Sequence, residues 1–233
     1  MKKSKILNYF TKSEITLWAL SVLAIIGSFL IFDRENFLTL TASIIGVTSL
    51  IFNAKGNPVG QVLMVAFSVI YSIISLKFKY YGEMITYSFM TAPMSVIALV
   101  SWLRNPFEGN KSQVKVEKIT KNQLVFASVL TAIITLIFYF ILKRFNTANL
   151  LPSTISVTTS FIAVYLTYKR SPYYALGYAA NDVVLIVLWT LASFENLSYI
   201  SVVVCFIAFL INDIYGFISW KRMEKLQREK STR

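Results

Sequence analysis

Two Asn-Asp pairs, Asn181-Asp182 and Asn212-Asp213, sit within long apolar runs, where chemistry is a common reason for keeping a strongly polar side chain. An amide or carboxyl at membrane depth costs on the order of a few kcal/mol, so those that persist face a cavity or a polar partner. The two aspartates are read as the only carboxylates well inside apolar sequence. On a helix, Tyr174, Tyr178, Asp182 and Trp189 stand at i, i+4, i+8 and i+15 and share one stripe. A flat heterocycle could stack on that aromatic face while amides and carboxyls hydrogen-bond to it. The competing account is structural, because polar side chains also knit membrane helices together. For Trp189, packing is the simpler reading.

Two further runs carry polar groups at helical spacing. Gln61, Ser68, Ser72 and Ser75 follow one another at steps of 7, 4 and 3, with Tyr71 beside them, which makes either a hydrogen-bonding seam or a close-packing face. Gln61 is the sharper candidate, since its amide is costly in lipid. Tyr87, Thr91 and Ser95 repeat the pattern around Pro93, which is expected to bend its helix and free a backbone carbonyl.

What is missing narrows the chemistry. The chain has no histidine, so histidine bases, Ser-His-Asp triads and HExxH zinc sites are excluded. Its single cysteine, Cys205, lies in an apolar run and allows neither an internal disulfide nor a thiolate metal site. No GxxxxGK[ST] loop or EF-hand pattern is present. The expectation is a protein that is not an enzyme, needs no cofactor or metal and hydrolyses no ATP.

The elements that must hold these residues are membrane helices. The 233 residues are 56% hydrophobic and only 15% charged, and the mean hydropathy is +0.61. Apolar runs are expected to span about 15–32, 37–52, 59–76, 84–103, 123–142, 150–168, 173–193 and 198–219. The second is short, so seven spans with one misread hairpin stays open. Charge placement favours eight. Lys2, Lys3, Lys5, Lys12, Lys55, Arg104, Lys111, Lys115, Lys118, Lys121, Lys169, Arg170 and the six basic residues from Lys221 onward fall on one side, 18 in all. Only Arg34, Lys77, Lys79, Lys143 and Arg144 fall on the other. An 18-to-5 split puts both termini and the loop 104–122 in the cytoplasm by the positive-inside rule. The net charge of +12 therefore speaks for topology and against nucleic acid, because the basic residues lie between apolar spans. The first span lacks a small-x-small cleavage pattern and is read as retained. Pro58, Pro152 and Pro172 mark helix starts, and Trp18, Tyr139, Trp102 and Trp220 lie near span ends as interfacial aromatics do.

The chain also repeats itself. Residues 46–58, GVTSLIFNAKGNP, overlie residues 160–172, SFIAVYLTYKRSP, at an offset of 114. Tyr81 then falls on Tyr199, and Ser101-Trp102 on Ser219-Trp220, at an offset of 118. The expected organisation is an amino-terminal segment and extra helix (1–36), a three-helix repeat (37–103), a loop and linker helix (104–149), a second three-helix repeat (150–220) and a basic tail (221–233). A single linking helix lets two odd-numbered units run parallel, with a substrate site between them near mid-membrane.

The stretch 57–109, with NPVGQ, KFKYYGEM and SWLRNPFEG, resembles the PnuC group of bacterial vitamin transporters, and the resemblance extends over about 37–220. It implies an all-α, SWEET-like 3+1+3 fold with an extra first helix in the bacterial inner membrane. It implies uptake of nicotinamide riboside by facilitated diffusion, with a cytoplasmic kinase trapping the cargo. Members carrying that substrate have a WxxW pair before an asparagine on the penultimate helix; here the place reads YYALGYAANDVV, so Tyr178 and Asn181 or Asp182 stand in. Thiamine, riboflavin or a deoxynucleoside, and a proton-coupled carrier, remain alternatives, and a homo-oligomer stays open. The candidate substrate contacts are Gln61, Tyr71, Thr91, Tyr174, Tyr178, Asn181, Asp182, Asn212 and Asp213.

Overall fold

The computed structural model describes residues 9–77, 80–147 and 149–231. Lys2, Lys3, Lys5, Lys79 and Arg233 of the charge count lie outside these residues. Among the described residues eight helical spans are long and apolar enough to cross a bilayer. They are α1 (Lys12–Phe32), α2 (Phe37–Ala54), α3 (Val59–Lys77), a fourth span made of α4 (Tyr81–Thr86) and α5 (Ala92–Arg104), α6 (Lys121–Arg144), α7 (Leu150–Tyr168), α8 (Tyr174–Ser193) and α9 (Ile200–Ser231). The short α2 has 18 residues, about 27 Å of helix at 1.5 Å per residue, so it matches the hydrocarbon core and removes the seven-span alternative.

Local sequence explains where these helices begin and end. Thr11 with Glu14 and Thr120 with Gln123 form capping boxes at the starts of α1 and α6. The last helix runs well past residue 219, where the apolar run stops, because Glu224 pairs with Lys221 and Arg228 one turn away on either side. The expected disturbance at Pro93 takes the form of a single π-turn, Tyr87–Thr91, between α4 and α5. Proline donates no hydrogen bond and its ring crowds the carbonyl one turn back; a widened turn relieves that crowding without ending the span.

Packing arranges the helices in a closed ring in the order α2, α3, α5, α7, α8, α9 and back to α2. Outside it, α1 lies against α9 and α2, while α6 lies against α7. Leu20, Leu23, Phe126, Leu136 and Phe140 on these outer helices are exposed, as lipid-facing side chains must be.

Two matched pairs of bonds close the ring. The Trp102 indole N–H donates to the Thr167 carbonyl at 3.0 Å, and the Ser101 hydroxyl to the Tyr168 carbonyl at 3.0 Å. From the other side, the Trp220 indole donates to the Asn53 carbonyl and the Ser219 hydroxyl to the Ala54 carbonyl, both at 2.7 Å. These groups satisfy the orphan carbonyls at the ends of α2 and α7. The turns that follow are also alike: Gly56 (φ 65°) and Arg170 (φ 56°) both adopt the left-handed conformation and donate to Asn53 and Thr167. Arginine holds this unfavourable backbone because its guanidinium is fixed by Ser101, the Lys115 carbonyl and Glu117.

The loop expected after residue 104 is structured. It forms a hairpin of β1 (Pro106–Phe107) and β2 (Asn110–Val114), turned by Glu108-Gly109 with positive φ at both residues. Beyond it the chain is stapled across one end of the ring: Val114 N–H donates to the Gly56 carbonyl and Glu117 N–H to the Arg170 carbonyl. Gln227 of α9 grips the same strand, donating to the Val114 carbonyl at 3.0 Å and accepting from Val116 N–H at 2.8 Å.

Candidate functional site

Neighbouring residues on an α-helix point about 100° apart, and the two Asn-Asp pairs divide accordingly. Asn181 turns toward α7, where its side-chain oxygen accepts from Ser156, Thr159 and Ser160 at 3.2, 2.9 and 3.0 Å. Asn212 turns outward to α1, donating to the Ser21 hydroxyl at 2.9 Å. Both asparagines thus fasten neighbouring helices. Asp182 and Asp213 point the other way and lie beside each other, both buried between α8 and α9.

Tyrosines surround this pair. Tyr174 lies near Asp213, Tyr178 near both aspartates, and Tyr87 of the π-turn near Asp182 and Tyr178. Tyr174 packs edge-on against Trp220, with ring centroids 4.9 Å apart, and Trp220 lies 5.3 Å from Trp102. The tryptophans that close the ring therefore form the floor beneath the tyrosine that faces Asp213.

The remaining candidates take separate places. Gln61 sits at the hairpin end, donating to Asn53 Oδ1 at 2.8 Å and leaving its own buried oxygen without a partner among the described residues. Ser68 and Ser72 donate to carbonyls of their own helix, which fits the packing account of that seam. Tyr71 lies toward the opposite end, where its hydroxyl accepts the Trp189 indole N–H at 2.6 Å. Trp189 also faces Tyr80, with ring centroids 4.8 Å apart, and Tyr199, at 5.5 Å.

Thr91 belongs to a stripe that the sequence only partly revealed. Glu83, Thr86, Thr91 and Ser95 are all buried along the fourth span, and each has side-chain oxygen without a hydrogen-bond partner among the described residues. Their steps are 3, 5 and 4; the step of five crosses the π-turn, whose extra residue keeps Thr91 in line with Thr86. The reading that only Asp182 and Asp213 are carboxylates within the apolar spans is therefore corrected. Glu83 is 1% exposed, inside a helix that begins three residues earlier than the apolar run suggested. Glu14 is also buried, held by Lys55 at 3.2 Å and by the Tyr215 hydroxyl at 3.0 Å. The available signal for Glu83 was its place directly before the apolar run, where a charged residue reads as a boundary.

Among the described residues no lysine or arginine is buried, whereas Glu14, Glu83, Asp182 and Asp213 are. The interior is thus carboxylate-rich, aromatic and supplied with free hydroxyls, a setting for a ligand with positive charge, a flat ring and hydroxyl groups.

Comparison with known proteins agrees with this layout. Residues 36–222 match the family model for nicotinamide mononucleotide transporters. The nicotinamide riboside transporter PnuC of Neisseria mucosa is 24% identical over 214 residues, covering 89% of this chain and 81% of that protein. The fold matches a solved crystal structure of the vitamin B3 transporter PnuC with a TM-score of 0.81 at 20% identity, over 94% of each chain. With eight membrane spans and a family match over most of its length, the chain is a multi-pass membrane transporter belonging to the nicotinamide mononucleotide transporter family.

Proposed function

We propose that this transporter carries nicotinamide riboside across the bacterial inner membrane by facilitated diffusion, with both termini cytoplasmic and a cytoplasmic kinase trapping the cargo. The 18-to-5 distribution of basic residues supports that orientation. The matched bonds of Trp102 and Trp220 support two like-oriented triplets with the pathway between them.

One observation carries the choice of cargo. Asp182 and Asp213 lie together, buried between α8 and α9, and no lysine or arginine is buried among the described residues. Nicotinamide riboside has a pyridinium cation, a flat ring and ribose hydroxyls. The phosphorylated mononucleotide adds a dianion, which would need a buried cation or several N–H donors and would instead meet carboxyl groups. Coulomb attraction and cation–π contact with Tyr174 and Tyr178 favour the riboside.

Calorimetry with the purified full chain tests this reading. Micromolar binding of nicotinamide riboside is expected, with the mononucleotide at least tenfold weaker; equal affinity for the two would sink it. The aspartate pair also favours a second reading, a proton-coupled carrier. Liposomes with an imposed pH gradient separate the two, because a facilitator does not concentrate its substrate.

A further inference from the structure

Glu83 stands apart from the aspartate pair and has no cationic partner among the described residues. Both its carboxyl oxygens are buried without a hydrogen bond among the described residues. Ser156 is a neighbouring donor, but its single hydroxyl proton goes to Asn181 Oδ1 at 3.2 Å. No ion pair to Glu83 is present among the described residues. A carboxyl taken out of water and left unsatisfied costs several kcal/mol, so a fold keeps one where something else supplies the missing interaction.

Aromatic rings gather at the same place. Tyr71 and Tyr87 are Glu83's electrostatic neighbours, and their ring centroids lie 4.5 Å apart. Tyr71 continues to Trp189 through the 2.6 Å hydrogen bond, and Trp189 to Tyr80. A carboxyl beside several π-faces is the chemistry that receives a quaternised nitrogen. Tyr87 touches both carboxyl groups' fields, lying near Glu83 on one side and Asp182 on the other.

We infer that Glu83, with Tyr71, Tyr87 and Trp189, forms a second station for an organic cation, a quaternised heterocycle, at the end of the ring opposite the hairpin. The cation displaces ring-on-ring contacts, is balanced by Glu83, and passes along Tyr87 to the aspartate pair. The free hydroxyls of Thr86, Thr91 and Ser95 follow the same face and accept or donate hydrogen bonds to the attached sugar. This inference rests on the proposed cargo and adds a specificity-determining residue to it.

The test is uptake by full-length protein in liposomes, comparing nicotinamide riboside with its 1,4-dihydro form, which has the same shape and no charge. Glu83→Gln is expected to raise the half-saturation concentration of the cation at least tenfold while changing that of the neutral form less than twofold. Glu83→Asp should recover most of the loss. Equal effects on both compounds, or none on either, overturn the station. If the wild-type chain carries neither compound, or only the neutral one, the proposed cargo fails and the station with it. If it carries the cation and Glu83→Gln carries it as well, only the station fails. Should Glu83→Gln not fold, as judged by its elution profile and melting, Tyr87→Leu tests the aromatic wall and is expected to lose the cation selectively.

Discussion

The indole N–H of Trp220 ends on the backbone carbonyl of Asn53, 2.7 Å away, and so joins the last helix of the chain to the end of the second. Trp102 makes the matching bond to Thr167 from the other half. Replacing either tryptophan by phenylalanine keeps a ring but leaves a buried carbonyl without its donor, a loss of about 1–3 kcal/mol. Melting of Trp102→Phe and Trp220→Phe in detergent should show falls of similar size. A large fall in one and none in the other would contradict equivalent roles.

Gly177 brings α8 close to α7. A Cβ there would stand 2.9 Å from the Ala163 Cα and 3.1 Å from its backbone nitrogen, so the helices themselves would have to separate. Gly177→Ala should cost about 1–3 kcal/mol. Gly27 in α1 offers a control, since nothing lies within 4 Å of the added atom, and Gly27→Ala should be neutral or stabilising. Thermal denaturation of the two variants side by side decides the matter.

Gln227→Ala removes both side-chain bonds to the strand after the hairpin. The Val116 amide loses its acceptor, whereas the Val114 amide keeps the Gly56 carbonyl. Hydrogen exchange should therefore accelerate at least tenfold at Val116 and much less at Val114. Equal acceleration at both would mean that the whole strap had come away.

Asp182→Asn tests the central pair. An amide keeps the size and removes one of the two carboxyl groups that the pair presents to a pyridinium. Affinity for nicotinamide riboside should fall about tenfold, some 1.4 kcal/mol, by calorimetry. Unchanged binding would remove Asp182 from recognition.

Much of the architecture was legible because membrane spans announce themselves. A bilayer demands about 20 apolar residues per helix, and the eight expected runs correspond to the eight helices, with ends displaced by a few residues at most except in α9. The recurrence of Ser101-Trp102 at Ser219-Trp220 was visible as spelling alone; its meaning, a pair of carbonyl ties across the ring, was not. The hairpin went unread because a charged stretch of short β-strands has no apolar alternation to give it away, and its order comes from Gly56, Arg170 and Gln227, residues far away in sequence.

Sequence by itself determined the solvent for each part of the chain: which runs enter lipid, which ends carry positive charge, and which family the pattern resembles. These follow from composition along the chain, which needs no neighbours. Only the tertiary structure decided partners. It sent Asn181 and Asn212 to other helices and Asp182 and Asp213 to each other, because adjacent helical residues face different directions and only packing says what lies in each. It also placed Glu83 inside, since the π-turn at Tyr87–Thr91 and an earlier helix start shift which face of the fourth span is buried.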